Sequence, residues 1–438
     1  MKDNSNFFLG MCLVVLLRVF VSLLFLEYPE SFFISDSGSY LEPALQIFLN
    51  GEFSNPLGEP ETFRTPGFPL LLSLAFQLEI PVNIFVTILN AVFIGFIAFF
   101  AYKIAFSLFG STLISRLSLV GVLLNPSFML YQHLIMPEIF FVFLFCGSVF
   151  YYCQYVGDKK IMSALFSSLF LVASFYVKPV AIYLAFALPV ALLLPTIAER
   201  SEKNINQGFV TFALTIALTI ASISVWSNRN QVLSGNDEFA SVQSFNLNQY
   251  ISAPIKSWAT GQSWESVRER FYEEYDSWPP EEKLSRSQSK FFEVLTQYPQ
   301  YAVMLLIKGT LINMFEPGIG DWLKFFKFSE PGSGIIYRFQ NLTTLDFFSY
   351  MHSNHALLLY GTSLGALLVS VMWALVFYGF MGARSITYIE WLMIFLVAYF
   401  LIVSAHAGAV GRFRLPPTPI LIIFASRGFA NLASRFRN

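Results

Sequence analysis

Two acidic residues, Asp36 and Glu138, are the first candidates for chemistry in this 438-residue chain. Each lies beside an apolar stretch, where an ionisable group at a membrane usually has a functional role. Asp36 stands in the run Asp36-Ser37-Gly38-Ser39, which is also good turn chemistry, so a helix cap or turn residue is one interpretation. The other is a general base that takes a proton from an acceptor hydroxyl.

Glu138 ends the run Met136-Pro137-Glu138 and begins a long apolar stretch. One interpretation is an acid stabilised by the dipole at the start of a helix, with Pro137 in the first turn. The other follows from the topology derived below, which places Glu138 on the same side of the membrane as Asp36. Two acids in one cavity could share base and orienting roles or hold a divalent ion.

Four cations at the predicted ends of apolar spans form a second set of candidates. They are Arg64, Lys178, Arg412 and Arg414. One interpretation is that their long side chains reach up to lipid headgroups. The other is recognition of a phosphate at the membrane surface, because arginine offers a bidentate fork and lysine a point charge. His406 lies close to Arg412 in the sequence and could also touch a substrate.

The composition indicates a membrane protein that would hold these residues on several spans. Apolar residues make up 55% of the chain and charged residues only 13%, whereas a soluble domain carries about 25% charged residues. Apolar runs long enough to cross a bilayer recur along the chain, so the predicted fold class is an all-α polytopic membrane protein. No basic stripe indicates nucleic-acid binding, and the three cysteines lie in apolar spans without the spacing of a metal cluster.

The hydropathy pattern predicts about ten transmembrane helices. The ranges are 7–26, 83–104, 111–131, 138–156, 161–177, 179–196, 208–226, 360–382, 387–407 and 415–432. If the N-terminus is cytoplasmic, most lysines and arginines in short loops fall on the cytoplasmic side, as the positive-inside rule requires. Both termini are then cytoplasmic, and the candidate residues face outward across the cytoplasmic (inner) membrane.

Three regions follow from this arrangement. Residues 1–227 form an N-terminal membrane module whose first outer loop, 27–82, carries Asp36; residues 228–357 form an outer region; residues 358–438 supply the C-terminal membrane helices. The apolar segments 66–79 and 299–316 would invert the later topology if they crossed the bilayer, so both are predicted to lie at the outer interface as amphipathic or half-inserted helices.

Local patterns predict the helices that would hold the site. Residues 39–50 have apolar side chains at helical spacing, with a capping box between Ser39 and Glu42 and Gly51 suited to the position after the helix. In the outer region, helices are predicted from Trp264 to Tyr275 and from Glu281 to Tyr298.

Taken together, these motifs resemble the GT-C superfamily of integral-membrane glycosyltransferases. The likeness is greatest to the bacterial relatives of protein O-mannosyltransferases and of the lipid A aminoarabinose transferase. It covers most of the chain, least of all 228–357. The residues that carry it are Asp36, Tyr40, Gly51, the turn from Arg64 to Pro69, Pro126, Met136 to Glu138, Lys178-Pro179 and Gly411 to Pro416.

The resemblance implies a function and a role for each matching residue. Asp36 would activate the acceptor, Glu138 would be a second acid, and Arg64, with Lys178, Arg412 and Arg414, would bind the phosphate of a polyprenyl-phosphate-linked sugar donor. The acceptor would be a lipid, glycan or protein of the cell envelope, and configuration would invert. Some relatives have a metal-binding acid in a Glu-Lys-Pro step, where this chain has Arg64-Thr65-Pro66, so a divalent metal ion is not assigned to any residue.

Two alternatives to single-sugar transfer remain open from the sequence. One is a polymerase or ligase that joins longer lipid-linked glycans. The other is a transporter or flippase without catalytic activity, for which broken half-length segments repeated in both halves would be typical. The sequence shows no such symmetry, and its polar groups collect at one face of the membrane rather than at the midplane.

Overall fold

The computed structural model describes residues 10, 12–20, 29–198, 202–328, 344–381 and 386–436. Within these ranges the regular elements are helices, accompanied by a single isolated β-bridge between Ser54 and Pro60. The predicted all-α polytopic fold is therefore confirmed. The predicted first span, 7–26, lies partly outside the described residues.

The described residues up to Ser234 contain ten α-helices. They are α1 (12–20), α2 (Gly38–Asn50), α3 (Gly67–Gln77), α4 (Val82–Phe109), α5 (Thr112–Leu123), α6 (Pro126–Tyr131), α7 (Glu138–Asp158), α8 (Ile161–Val177), α9 (Leu184–Ala198) and α10 (Glu202–Ser234).

Ten further helices complete the described fold. They are α11 (Val242–Asn246), α12 (Ala253–Thr260), α13 (Trp264–Asp276), α14 (Lys283–Gln297), α15 (Pro299–Phe315), α16 (Ile319–Phe325), α17 (Thr344–Asn354), α18 (Ala356–Met381), α19 (Tyr388–Val403) and α20 (Thr418–Arg435).

Four of the described helices are long and apolar enough to cross a membrane: α4, α7, α18 and the part of α10 from Asn206 to Ser234. The pair α15 and α16 would make a fifth crossing if the two were one broken span, since they are bent by 55° at a short break. Helices α3, α5, α8 and α19 and the stretch Leu184–Leu194 are apolar but shorter. The chain is thus a multi-pass membrane protein whose spans are less uniform than the hydropathy pattern predicts.

The predicted continuous span 111–131 is wrong in its detail. Helix α5 ends at Leu123, and the Asn125 side chain then accepts hydrogen bonds from the amides of Ser127 and Phe128. This cap starts α6 with Pro126 in its first turn, the position where a missing amide costs nothing. The predicted span 179–196 likewise begins as a 3₁₀ turn before α9.

The membrane helices are held together by close contacts as well as by apolar packing. Helix α7 packs on α8 and α4, and α18 packs on α20. Where α18 crosses α20, a Cβ on Gly428 would lie 1.9 Å from the carbonyl oxygen of Leu375, and one on Gly379 would lie 2.4 Å from that of Phe424. Only glycine lets the two backbones approach this closely.

The charged residue inside the first predicted span has partners on other elements, as expected for a buried cation. Arg18 Nε donates to Gln132 Oε1 at 2.8 Å, and its NH1 donates to the carbonyl oxygen of Leu123 at 2.7 Å. Arg18 therefore ties α1 to the end of α5 and to the segment that leads into α7.

The region 228–357 has the two helices that the sequence predicts, as α13 and α14. They pack with α12 and with a π-helical turn at Leu247–Ser252. The segment 299–316, predicted to be interfacial or half-inserted, is helix α15, which a bend of 55° separates from α16. Its position relative to the membrane surface, like that of α3, stays a prediction.

Candidate active site

The turn before α2 is built differently from the predicted capping box. Helix α2 begins at Gly38, so Ser37 is its N-cap, and the expected exchange between Ser39 and Glu42 is wrong. The Ser39 hydroxyl instead donates to the carbonyl oxygen of Asp36 at 2.7 Å and accepts from Arg64 Nε at 2.9 Å. Ser39 thus links the turn that carries Asp36 to the arginine expected to bind phosphate.

Asp36 lies at the centre of a cluster of charged side chains. One carboxylate oxygen is 2.8 Å from Arg412 NH2, and the other is 3.6 Å from Arg64 NH2. The Asp36 side chain remains 30% exposed, so the pair is not sealed into the core. Three residues from three separate parts of the sequence therefore meet at one point, as the motifs predict for a shared site.

Arg64 is held in place by an aromatic neighbour in addition to Ser39. Its NH1 donates to the Tyr40 hydroxyl at 3.2 Å, and its guanidinium lies 4.5 Å from the centre of the Tyr40 ring. Tyr40 is 5% exposed, and burial raises its pKa to about 12. The predicted candidate Tyr40 thus lies in the cluster as a protonated phenol that supports Arg64.

The turn after Arg64 docks onto the end of α8. The Thr65 hydroxyl donates to the carbonyl oxygen of Val177 at 3.1 Å. A Cβ on Gly67 would lie 2.7 Å from the carbonyl oxygen of Tyr176, so this position accepts only glycine without a shift of the backbone. Because Lys178 follows directly, the contact brings the first outer loop against the lysine in the Lys178-Pro179 step.

Glu138 and Lys178 form a second, more buried ion pair. Lys178 Nζ is 3.0 Å from Glu138 Oε1, and the Glu138 side chain is only 2% exposed. The other carboxylate oxygen, Oε2, is buried and has no hydrogen-bond partner among the described residues. An acceptor that is buried and unused is costly, and it marks a position where a ligand could bind.

Removing the lysine of this pair is expected to destabilise the fold. Lys178→Met would leave the Glu138 carboxylate buried without its counter-charge, at a cost of roughly 3 kcal/mol in the free energy of unfolding. Thermal unfolding of the purified protein in detergent measures this. The matched control is Lys256→Met, because Lys256 contacts the hydroxyl and ring of Tyr298 and forms no ion pair with any described residue.

The double variant Lys178→Met/Glu138→Gln separates charge from packing. It removes both charges, so much of the lost stability should return. An unfolding temperature of Lys178→Met equal to that of the unmodified protein would contradict the assignment of a buried ion pair.

Arg412 connects the two ion pairs. It lies in a short 3₁₀ turn, Gly411–Arg414, directly before α20. Its positive charge lowers the pKa of Asp36, and the negative charges of Glu138 and Asp36 in turn raise the pKa of Arg412. Its Nε is buried and has no hydrogen-bond partner among the described residues. Arg412 therefore offers an unused donor on the same side of the bundle as the unused acceptor of Glu138.

His406 lies beside Arg412, as the sequence predicts, but as a neutral ring. Its Nδ1 accepts a hydrogen bond from the amide of Gly408 at 3.1 Å. Burial, with the charge of Arg412 as a second cause, lowers the pKa of His406 to about 4. The ring packs between Tyr250 and Phe413, which places it at the edge of the cluster.

Arg414 is the one predicted cation whose recorded contacts lie away from the cluster. Its guanidinium donates to the carbonyl oxygens of Asn313, Met314 and Glu316 at 2.6 to 3.0 Å. These are the last carbonyls of α15, which have no partner within their own helix. A helix-capping role therefore accounts for Arg414.

Sequence reasoning did not find several residues around the site. Tyr131 donates from its hydroxyl to Asp321 Oδ2 at 2.9 Å, and Glu316 accepts from two loop amides. The only signal was the run Gly318-Ile319-Gly320, which interrupts an apolar stretch next to these acids. Arg229 was also missed, although it donates to the carbonyls of Phe53 and Glu61 in the first outer loop.

The charges of the arginines determine the protonation state of Asp36. Burial by itself raises the pKa of this carboxyl, but the charges of Arg412 and Arg64 outweigh burial, so the pKa lies below its ordinary value. The acids raise the pKa of Arg412 despite its burial. Asp36 is therefore a carboxylate whose charge is matched by two guanidinium groups.

The described residues show no group of three or more histidine, cysteine, aspartate or glutamate side chains arranged to hold a metal ion. Asp36 and Glu138 each face a cation instead. The described residues therefore supply no set of ligands for the divalent ion that the two acids could have held.

Among the solved structures that share this fold are two oligosaccharyltransferases. One is the archaeal oligosaccharyltransferase AglB from Archaeoglobus fulgidus, in complex with an inhibitory peptide and a dolichol-phosphate; the TM-score is 0.52 at 11% identity, over 97% of this chain and 50% of that chain. The other is the Archaeoglobus fulgidus oligosaccharyltransferase in its apo form, with a TM-score of 0.51 at 11% identity, over 97% and 51%.

The chain therefore spans about half the length of these structures. No family model matches the chain, and no curated protein matches it. At this low identity the likeness concerns the fold alone, which this chain shares with the two oligosaccharyltransferases.

Proposed function

We propose that this chain is a glycosyltransferase that moves a sugar from a polyprenyl-phosphate-linked donor to an acceptor. The observation that carries the proposal is the cluster in which Asp36 lies between Arg412 and Arg64, with the pair of Lys178 and Glu138 beside it. The GT-C-type fold supports it. One of the two similar structures contains a dolichol-phosphate, a lipid phosphate of the kind proposed for this chain.

The three cations Arg64, Lys178 and Arg412 supply the charge that a phosphate leaving group needs. As the bond between the anomeric carbon and the phosphate oxygen breaks, negative charge grows on the phosphate, and positive groups fixed nearby stabilise the transition state. Arg412 Nε is buried and has no hydrogen-bond partner among the described residues, so it is available to donate to a phosphate oxygen. Lys178 is held by Glu138 and adds a point charge.

Binding of the donor phosphate would also raise the pKa of Asp36 and make it a stronger base. In the free protein the carboxylate is engaged by Arg412 and Arg64, which keep its pKa low, and a carboxylate so stabilised is a weak base. A phosphate that takes over the two guanidinium groups removes these partners while burial remains. The pKa of Asp36 then rises, and the carboxylate can accept the proton of the acceptor hydroxyl as the hydroxyl oxygen attacks the anomeric carbon.

The acceptor oxygen would form its bond to the anomeric carbon on the face opposite to the departing phosphate. The carbon passes through an oxocarbenium-like state, and the electron pair of the broken bond stays on the lipid phosphate. One displacement of this kind inverts the configuration. Asp36 acts as the base, and Arg64, Lys178 and Arg412 bind the phosphate.

A groove along α15 suits the lipid part of the donor. It has a volume of about 740 Å³ and is open along one side, and Glu316, which accepts from the amide of Gly411, is among its lining residues. Its wall is one face of the helix, with apolar residues except near Gln300, Lys308 and Glu316. A prenyl chain is apolar and flexible, so its transfer from lipid into this groove costs little, while its phosphate would reach the cations.

Two alternatives share part of this chemistry. A polymerase or ligase for longer lipid-linked glycans would use the same phosphate site, and the similar structures are oligosaccharyltransferases. A transporter would use the groove without breaking a bond. We favour transfer of a sugar because a carboxylate next to three cations serves catalysis and is not needed to carry a lipid.

Mass spectrometry of cell-envelope glycans tests the proposal in cells. Deleting the gene should remove one sugar or glycan from an envelope lipid, glycan or protein, and the mass lost distinguishes a single sugar from a chain. Expression of the unmodified protein should restore it, as should the control Asp158→Asn, whose side chain holds Lys160 and Ser163 at the other end of α7. An unchanged set of envelope glycans after deletion would contradict the proposal.

A further inference from the structure

The loop that carries Arg412 is fixed to α15 on both sides of the arginine. On one side the amide of Gly411 donates to Glu316 Oε2 at 2.5 Å. On the other side Arg414 donates to the last carbonyls of α15. Arg412 lies between these two attachment points, and its side chain forms the ion pair with Asp36.

Glu316 joins three elements at the bend between α15 and α16. Its Oε1 accepts from the amide of Gly318 at 2.7 Å, while Oε2 accepts from Gly411. Gly318 has φ of +76°, a left-handed conformation that glycine adopts without strain. One carboxylate therefore fixes both the bend and the start of the Arg412 loop.

We propose that Glu316 is a positioning residue that sets the place of Arg412, through Gly411, for binding of the donor phosphate. The inference rests on the proposed function and identifies what holds its central cation. Glu316 does not touch the substrate phosphate in this account. It also lines the α15 groove, so a residue that would meet the lipid also holds the arginine that meets the phosphate.

The close approach at Gly411 supplies an independent way to disturb this contact. A Cβ at Gly411 would lie 2.4 Å from the carbonyl oxygen of Glu316 and 2.5 Å from its Oε2. The backbone carbonyl oxygen of Glu316 cannot be avoided without moving the loop away from the bend. At Gly320, on the same bend, a Cβ would meet no atom within 4 Å, so Gly320→Ala is a matched control.

The experiment measures retention of a polyprenyl phosphate without sugar, by native mass spectrometry of the full-length protein in detergent, and sugar transfer in parallel. Gly411→Ala is expected to weaken retention and to lower transfer on the order of 10²-fold, the effect typical of a displacement of about 1 Å at a reacting group. Gly320→Ala should retain both. Glu316→Gln, which keeps the shape but loses one acceptor, should give a smaller loss in the same direction.

A comparison in the Arg412→Gln background separates positioning from general damage. If Glu316 and Gly411 act through Arg412, then Gly411→Ala should weaken lipid-phosphate retention no further once the arginine is gone. An equal loss in both backgrounds would overturn the inference, as would wild-type retention and transfer in Gly411→Ala. Failure of the unmodified protein to retain polyprenyl phosphate would instead contradict the proposed function.

Discussion

Replacing Asp36 by asparagine is expected to lower sugar transfer by about 10²- to 10⁴-fold, the range that a general base contributes. Asparagine is close in size to aspartate and can still accept a hydrogen bond from Arg412, now 2.8 Å from the carboxylate. It cannot accept the proton of the acceptor hydroxyl. The substitution therefore removes the base while leaving the site largely filled.

The rate of transfer at saturating donor is the measurement that distinguishes this role. Binding of a polyprenyl phosphate without sugar should persist in Asp36→Asn, or become tighter, because the phosphate no longer competes with a carboxylate for Arg64 and Arg412. The control Asp158→Asn removes a carboxylate at the other end of α7, where it accepts from Lys160 and Ser163, and should transfer sugar normally. Transfer by Asp36→Asn at the rate of the unmodified protein would remove Asp36 from the base role.

Replacing Arg412 by glutamine is expected to lower transfer by about 10²- to 10³-fold, by analogy with removal of one group that stabilises developing negative charge. Unlike Asp36→Asn, it should also weaken binding of the lipid phosphate. The matched control is Arg427→Gln, which breaks a part-buried pair with Glu390 at 2.7 Å between α20 and α19. That variant should lose stability and keep its rate of transfer.

The same substitution should shift the pH dependence of transfer. Arg412 and Arg64 keep the pKa of Asp36 below its ordinary value against the opposing effect of burial. The unmodified protein should therefore lose no activity through Asp36 until the pH falls below about 4, the ordinary pKa of aspartate. Without Arg412, less positive charge opposes the effect of burial, so the pKa of Asp36 rises. The loss of transfer activity on acidification therefore begins at a higher pH.

The ratio kcat/KM for the lipid-linked donor reports this shift, because its pH profile reflects groups of the free enzyme. Profiles of the unmodified protein, Arg412→Gln and Arg427→Gln would be compared from about pH 4 to about pH 8. Coincident acid limbs for the unmodified protein and Arg412→Gln would show that Arg412 does not control Asp36.

The sequence predicts most of the site because its signals are local and strong. Asp36, Arg64, Lys178 and Arg412 occur in short polar motifs at the ends of apolar runs, where ionisable residues are rare. The structure joins these residues by ion pairs and by the docking of Thr65 on α8. These contacts bring the residues to one side of the bundle, and the side of the membrane on which they lie stays a prediction.

What the sequence could not show depends on contacts between distant segments. Arg414 stands two residues from Arg412 and has the same chemistry, yet it caps α15. Ser39 matches a capping box, but its hydroxyl is taken by Arg64, which lies 25 residues further along the chain. Glu316 has no motif of its own, because its role depends on Gly411 coming within hydrogen-bond distance.

The breaks in the spans have a similar cause. Hydropathy over 111–131 is continuous, and only the side chain of Asn125 bonding to two amides shows where one helix ends and another begins. In the same way, the bend of 55° between α15 and α16 lies at a short run that contains glycines. The sequence does not show that the chain bends there, because the bend depends on contacts such as that of the Gly318 amide with Glu316.

Reconstitution of the purified protein into vesicles with a polyprenyl-phosphate sugar labelled in the sugar tests the central claim most directly. We predict that the label leaves the lipid phosphate and appears, with inverted configuration, on an acceptor hydroxyl, and that Asp36→Asn and Arg412→Gln reduce this transfer while Arg427→Gln does not. Label that crosses the bilayer still attached to its lipid phosphate, without transfer to any supplied acceptor, would contradict the claim and favour a transporter.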